Sequence, residues 1–179
     1  MRAALCIIVI LVTTLSHAQT FTLKSDELGG QATLMQMYNE AGCKGENRSP
    51  QLYWENAPET AKSFAVTMFD KDAPTGSGWW HWLIFDIDKS CKELKTDAGD
   101  VLKHIAPAQS VQSKTDFGLP GYGGPCPPAG NAAHRYIITL YALNTEKLGL
   151  NAFANPALVG FYLEKNTIEK ASLIFYCKQ

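Results

Sequence analysis

Five side chains in this sequence have the types needed to hold a small ion: Asp70 and Asp72, His81, and His134 with Tyr136. Imidazole nitrogens and a phenol hydroxyl can donate hydrogen bonds to an oxyanion. The backbone N–H groups of Gly123 and Gly124 can approach one closely, because no side chain intervenes. That inventory suits a small phosphate. A carboxylate repels an anion unless it has another task. Two tasks are open: orienting an imidazole and favouring its protonated form, or meeting the ammonium of a zwitterionic ligand. The first is preferred. Asp70, His81 and His134 also make a two-histidine, one-carboxylate set, the pattern of a metal-dependent enzyme such as a hydrolase. A serine hydrolase is not indicated, because no G-x-S-x-G segment is present.

The segments around these residues read as strand mouths. The apolar run Phe64–Phe69 leads directly into Asp70-Lys71-Asp72-Ala73-Pro74, and Gly78-Trp79-Trp80-His81 introduces a second run, Trp82–Ile87. A third run begins at His134 and continues to Leu143. All three predict central strands, with shorter ones at Phe21–Leu23, Gln51–Glu55 and Leu173–Tyr176. Gly121-Tyr122-Gly123-Gly124-Pro125-Cys126-Pro127-Pro128 is too rich in Gly and Pro for a regular element and predicts a rigid wall beside the histidines. Asn155-Pro156 has the form of an N-cap followed by Pro at N1 and predicts a helix to Lys165; Asn166 predicts a second short helix to Ala171. Trp79, Trp80 and Trp82 read as core or rim packing. Asp116-Phe117-Gly118 matches a kinase triplet, but nothing else of that site accompanies it.

Composition bounds these readings. The 179 residues are 46% hydrophobic, 11% aromatic and only 18% charged, with 14 Gly and 9 Pro, which excludes disorder and a coiled coil and favours one turn-rich β domain. A formal charge of −1 excludes a polyanion surface for nucleic acid and leaves a local anion pocket open. Arg2, the uncharged run Ala3–Leu15 and the small residues of Ser16-His17-Ala18 have the form of a signal peptide over residues 1–18. The apolar run is too short for a transmembrane anchor, which needs about 20 residues. The expected destination is outside the cytoplasm: the periplasm of a Gram-negative cell, otherwise the medium. Cys43, Cys91, Cys126 and Cys177 then predict two disulfides, for which sequence alone allows three pairings.

Taken in order, Asp70 to Pro74, Gly76-Ser77-Gly78-Trp79-Trp80-His81-Trp82, Gly121 to Pro128 and His134-Arg135-Tyr136 resemble the phosphatidylethanolamine-binding protein family, also called the Raf kinase inhibitor protein family, in its bacterial branch. The sequence departs from the family pattern at Lys71, which replaces a proline between the two aspartates and adds a cation beside the expected pocket. The resemblance implies one mainly β domain over residues 19–179, a Greek-key antiparallel β-sandwich with a few short peripheral and C-terminal helices. It implies an anion pocket lined by Asp70, Asp72, His81, Pro128, His134 and Tyr136, and a cis Ala73–Pro74 bond. The implied activity is non-catalytic and cofactor-free: binding of phosphate, phosphoethanolamine-type head groups or phosphorylated groups by a monomer or homodimer. An exported inhibitor or effector that binds a protein partner, with the pocket as regulatory site, is the alternative. The family also places the segment after Cys43 beside the Gly121–Pro128 loop, implying a Cys43–Cys126 bridge and, with that pair taken, Cys91–Cys177.

Overall fold

In the computed structural model, which describes residues 19–179, the chain forms β1 (Thr22–Lys24), β2 (Leu52–Glu55), β3 (Ser63–Asp70), β4 (Trp79–Asp88), β5 (Glu93–Leu94), β6 (Val111–Gln112), β7 (His134–Leu143), α1 (Pro156–Asn166) and β8 (Thr167–Cys177). The segment 1–18 read as a signal peptide lies outside the described residues. Every strand pairing is antiparallel, in a large sheet ordered β6-β4-β3-β7-β8 and a small one ordered β1-β2-β5. The order β7-β3-β4-β6 is a Greek key: three successive neighbours, and a fourth strand that returns by a long connection to lie beside the first. That returning connection, residues 113–133, carries the Gly/Pro-rich segment. The crossover of the fold is therefore also the wall of the site.

Period-two alternation explains the two layers. Phe64, Val66 and Met68 of β3 and Ile138 and Leu140 of β7 turn towards Leu23, Leu52 and Trp54 of the small sheet, and together they form the main core. Ala65, Leu83, Phe85 and Tyr141 turn the other way and are covered by Val159 and Leu163 of α1. Each of those two helix residues is fully buried, worth roughly 1.5–3 kcal/mol apiece. The predicted N-cap forms: Asn155 Oδ1 accepts the Leu158 N–H at 2.9 Å.

Three expectations are corrected. No second helix follows Asn166. The Thr167 hydroxyl closes the end of α1 by donating to the Leu163 carbonyl at 2.6 Å, and Thr167 is already extended. From there the chain pairs with β7 from Leu143↔Thr167 to His134↔Cys177, so a long ladder outweighs the local helical preference of Glu169, Lys170 and Ala171. The Ala73–Pro74 bond is trans, the intrinsically preferred isomer, in a turn closed by Thr75 N–H to the Ala73 carbonyl at 2.7 Å. Cys43–Cys126 is a disulfide, whereas Cys91 and Cys177 are free thiols. Cys177 pairs with His134 at one end of the large sheet and Cys91 follows Asp88 at the other. The length of the central strands, about 30 Å, separates them, against a bridging Cα–Cα limit of about 7 Å.

Candidate functional site

The site sits where β3 and β7 end side by side. Their register pairs Asp70 with Tyr136, and His134 lies two residues before Tyr136 on the same inner face. His81 reaches that face through an irregularity. Met68 pairs with Trp82 and Phe69 with Trp80, so His81 is the extra residue of a β-bulge. Trp82 accordingly packs in the main core and Trp80 against the helix-side cluster, although the two are only two residues apart. Regular alternation would put His81 beside Leu83 and Phe85; the bulge turns its ring to within 5.1 Å of the Tyr136 ring. Gly78 makes the approach to β4 possible. Its φ of +73° and the Phe69 ring, 2.2 Å from where a Cβ would stand, admit no other residue without strain.

The polar groups are interlocked. Asp70 Oδ2 accepts from His134 Nδ1 at 2.8 Å, and its Oδ1 accepts the Asp72 N–H at 2.8 Å. The carboxylate thus orients the His134 ring. His81 Nδ1 donates to the Gly123 carbonyl at 2.7 Å. Burial lowers the His81 pKa to about 4, against the opposing pull of that carbonyl and of the Asp70 and Asp116 charges. The Tyr136 hydroxyl is buried without a hydrogen-bond partner, and burial, followed by the Asp70 charge, pushes its ionisation far above the usual tyrosine range. Above these groups opens a cavity of about 210 Å³ whose remaining walls are largely apolar, including Tyr38, Pro74, Trp79, Phe117, Pro127 and Pro128. Cys126 stands at its edge, tied to Cys43 with 5.9 Å between Cα atoms.

Comparison with known proteins agrees with this architecture. Residues 24–178 match the model of the phosphatidylethanolamine-binding protein family. The chain belongs to that family. YbcL of Escherichia coli strain K12 is 42% identical over 164 residues, 90% of each chain. The crystal structure of YbcL, described as a new member of the mammalian PEBP family, superposes with a TM-score of 0.87 over 89% of this chain and 98% of that one. YbhB of the same organism is 41% identical over 137 residues, covering 76% of this chain and 85% of its own. A homologue of the family from Chlamydia trachomatis, 25% identical, superposes with a TM-score of 0.74 over 89% of this chain and 97% of its own.

Within this PEBP fold the expected pocket residues divide. Asp70, His81, Pro128, His134 and Tyr136 line the cavity; Asp72, Gly123 and Gly124 do not. Asp72 grips Arg135 instead, Oδ1 to Nη2 at 2.7 Å and Oδ2 to Nε at 2.9 Å, with the Arg135 N–H adding a third bond at 2.9 Å. These bonds hold its carboxyl well below the usual carboxylate range. It orients no imidazole. The Gly123 N–H donates to the His81 carbonyl at 2.9 Å and the Gly124 N–H to Asn47 Oδ1 at 2.7 Å, so neither is free to bind an anion. Both positions need glycine for packing: a Cβ would stand 2.4 Å from the Phe117 ring at Gly123 and 2.2 Å from the Gln36 carbonyl at Gly124. Among the described residues no three His, Cys, Asp or Glu side chains converge to hold an ion.

Two contributors escaped the sequence reading. Phe117, set aside with its triplet, packs edge-on to His81 with ring centres 5.3 Å apart and against Tyr38 at 4.8 Å. Asn47 clamps the Gly-rich loop from both sides, donating to the Tyr122 carbonyl at 3.3 Å as well as accepting from Gly124. A clue to Asn47 lay in its place between Gly45 and Pro50, a turn-rich stretch beside Cys43.

Proposed function

We propose that this protein is a non-catalytic receptor for a small phosphate-bearing ligand, exported from the cytoplasm, with the ligand held over Asp70, His81, His134 and Tyr136. The observation that carries this is the pair of imidazoles over the cavity. Asp70 holds His134 by Nδ1 and the Gly123 carbonyl holds His81 by Nδ1, which leaves the Nε2 of each for a ligand in a cavity large enough for a phosphate group. The lining offers no activated nucleophile among the described residues, since Thr75 donates to the Gly78 carbonyl at 2.5 Å and Cys126 is bridged. Export is supported by the form of residues 1–18 and by the Cys43–Cys126 bridge.

Free phosphate, a phosphoethanolamine-type head group and a phosphorylated side chain share the phosphoryl chemistry. Backbone NMR titration with inorganic phosphate, phosphoethanolamine and phosphoserine separates them by affinity. Shifts confined to residues 70–82, 117–128 and 134–136 are expected, and their loss in His134→Ala. No response to any of the three at millimolar concentration sinks the proposal. N-terminal sequencing of the protein recovered from expressing cells tests export: a chain still beginning at Met1 opposes it.

A further inference from the structure

The geometry points to a cavity that selects oxyanions still carrying a proton, accepting inorganic phosphate and rejecting the isosteric sulfate. This rests on the anion-pocket reading above and adds the direction of one hydrogen bond. A carbonyl oxygen can only accept, so the contact of His81 Nδ1 with the Gly123 carbonyl at 2.7 Å fixes a hydrogen on Nδ1. In the neutral ring Nε2 is then a lone pair. Among the described residues nothing is hydrogen-bonded to it, and it belongs to a side chain that lines the cavity.

The neighbours of His81 keep the ring neutral. From β3 it faces Asp70, whose two oxygens already accept from His134 and from the Asp72 N–H. The crossover brings Asp116, engaged by the Trp80 N–H at 2.8 Å, together with Phe117. From β7 it faces Tyr136 and His134. Among the described residues no carboxylate is bonded to His81 to stabilise a second proton, and the residue is only 3% exposed.

The unmatched group over the cavity is therefore an acceptor on His81, beside the Nε2 that His134 also leaves free, while the Tyr136 hydroxyl is sealed from the cavity. A phosphate with one remaining hydroxyl matches the His81 acceptor: its P–OH donates to Nε2. Sulfate has no hydrogen to donate at neutral pH, so its oxygens meet the Nε2 lone pair directly unless the ring takes up a proton. With the ring's pKa pulled to about 4 by burial, that uptake at pH 7 weakens binding by as much as about 1000-fold. Phosphomonoesters are bound by the same rule in their monoprotonated form and weaken as pH rises through their second ionisation, near pH 6.

Calorimetric titration of the disulfide-intact protein at pH 7 with sodium phosphate and sodium sulfate, at matched ionic strength and in two buffers of different ionisation heat, decides the matter. Phosphate is expected to bind at least about tenfold more tightly, and any sulfate binding to take up close to one proton. Sulfate binding as tightly as phosphate, or without proton uptake, overturns the inference and leaves the pocket reading standing; failure of both anions to bind overturns both. In His81→Gln the amide can turn its NH₂ to the ligand, so the preference should collapse. Retention of the full preference in a folded variant removes His81 from the role, and where the variant does not fold the wild-type comparison decides.

Discussion

Strands β3, β4 and β7 carry a hollow at each end, and the two hollows differ in kind. At the Asp70 end the cavity is about 210 Å³, and its ionisable groups are buried, fixed by hydrogen bonds and left with specific unmatched atoms. At the opposite end a larger hollow of about 410 Å³ is lined by Lys62, Asp86, Asp88, Lys89, Glu146 and Lys147, and among the described residues none of these is in an ion pair. Its one buried acid, Asp86, accepts the Leu148 N–H at 2.8 Å, and Asp88 is occupied by Ser90. Volume and charge alone thus do not mark a site. What separates the ends is whether polar groups have been taken out of water and left with a directional deficit.

The largest expected effect comes from loosening only one end. Cys43 and Cys126 are 83 residues apart, so replacing both by Ser should lower stability by about 4 kcal/mol in urea unfolding. Phosphate affinity should fall with it, because the loop bearing Pro127, Pro128 and the His81-binding carbonyl of Gly123 loses its tether. A loss below about 1 kcal/mol would mean that the Asn47 clamp holds the loop unaided.

Acid should act next, and again at one end. His81 binds a proton near pH 4 in the folded chain and near 6.5 when unfolded, so the unfolded state gains protons first as pH falls. Its contribution is intact above about pH 6.5 and is lost progressively down to about pH 4, up to about 3 kcal/mol. Ligand-free denaturant curves at pH 7 and pH 4.5 should show the loss and His81→Gln should reduce it; parallel behaviour of the two proteins would place the acid sensitivity elsewhere.

This asymmetry was only partly legible in the sequence. The central strands β3, β4 and β7, the N-cap at Asn155 and the family resemblance all follow from local pattern, because alternation and capping are written in neighbouring residues. The roles of Asp70 and Asp72 were not separable, since only the β3–β7 register places His134 on one and Arg135 on the other. The bulge at His81 leaves no compositional trace, and without it the histidine would read as facing α1. Gly123 and Gly124 were legible as positions needing glycine but not as packing contacts, because Phe117 and Gln36 come from segments distant in the chain. The strand over Thr167–Ala171 was hidden because β7, and not its own composition, dictates it.

A smaller effect is expected from Tyr136→Phe. Deleting an unpartnered buried hydroxyl removes a desolvation penalty, so the free protein should gain about 1 kcal/mol in urea unfolding. The hydroxyl is sealed from the cavity, so phosphate affinity should stay within about twofold by calorimetry. A tenfold loss of affinity would mean that the cavity opens to the hydroxyl when the anion binds; a loss of stability would mark the hydroxyl as structural.

The smallest effect tests the other half of the comparison. Lys62→Ala and Lys147→Ala remove cations from the larger hollow at the far end of the same strands. If buried, oriented groups and not charge or volume make the anion site, each variant should leave phosphate affinity within about twofold, because charges a strand length away are screened beyond about 10 Å. The phosphate-induced NMR shifts should stay at the Asp70 end. Migration of those shifts to residues 86–89 or 146–148 in the wild type, or a tenfold loss of affinity in either lysine variant, would mean that the far hollow competes for the same ligand. The distinction drawn between the two ends would then rest on rigidity alone.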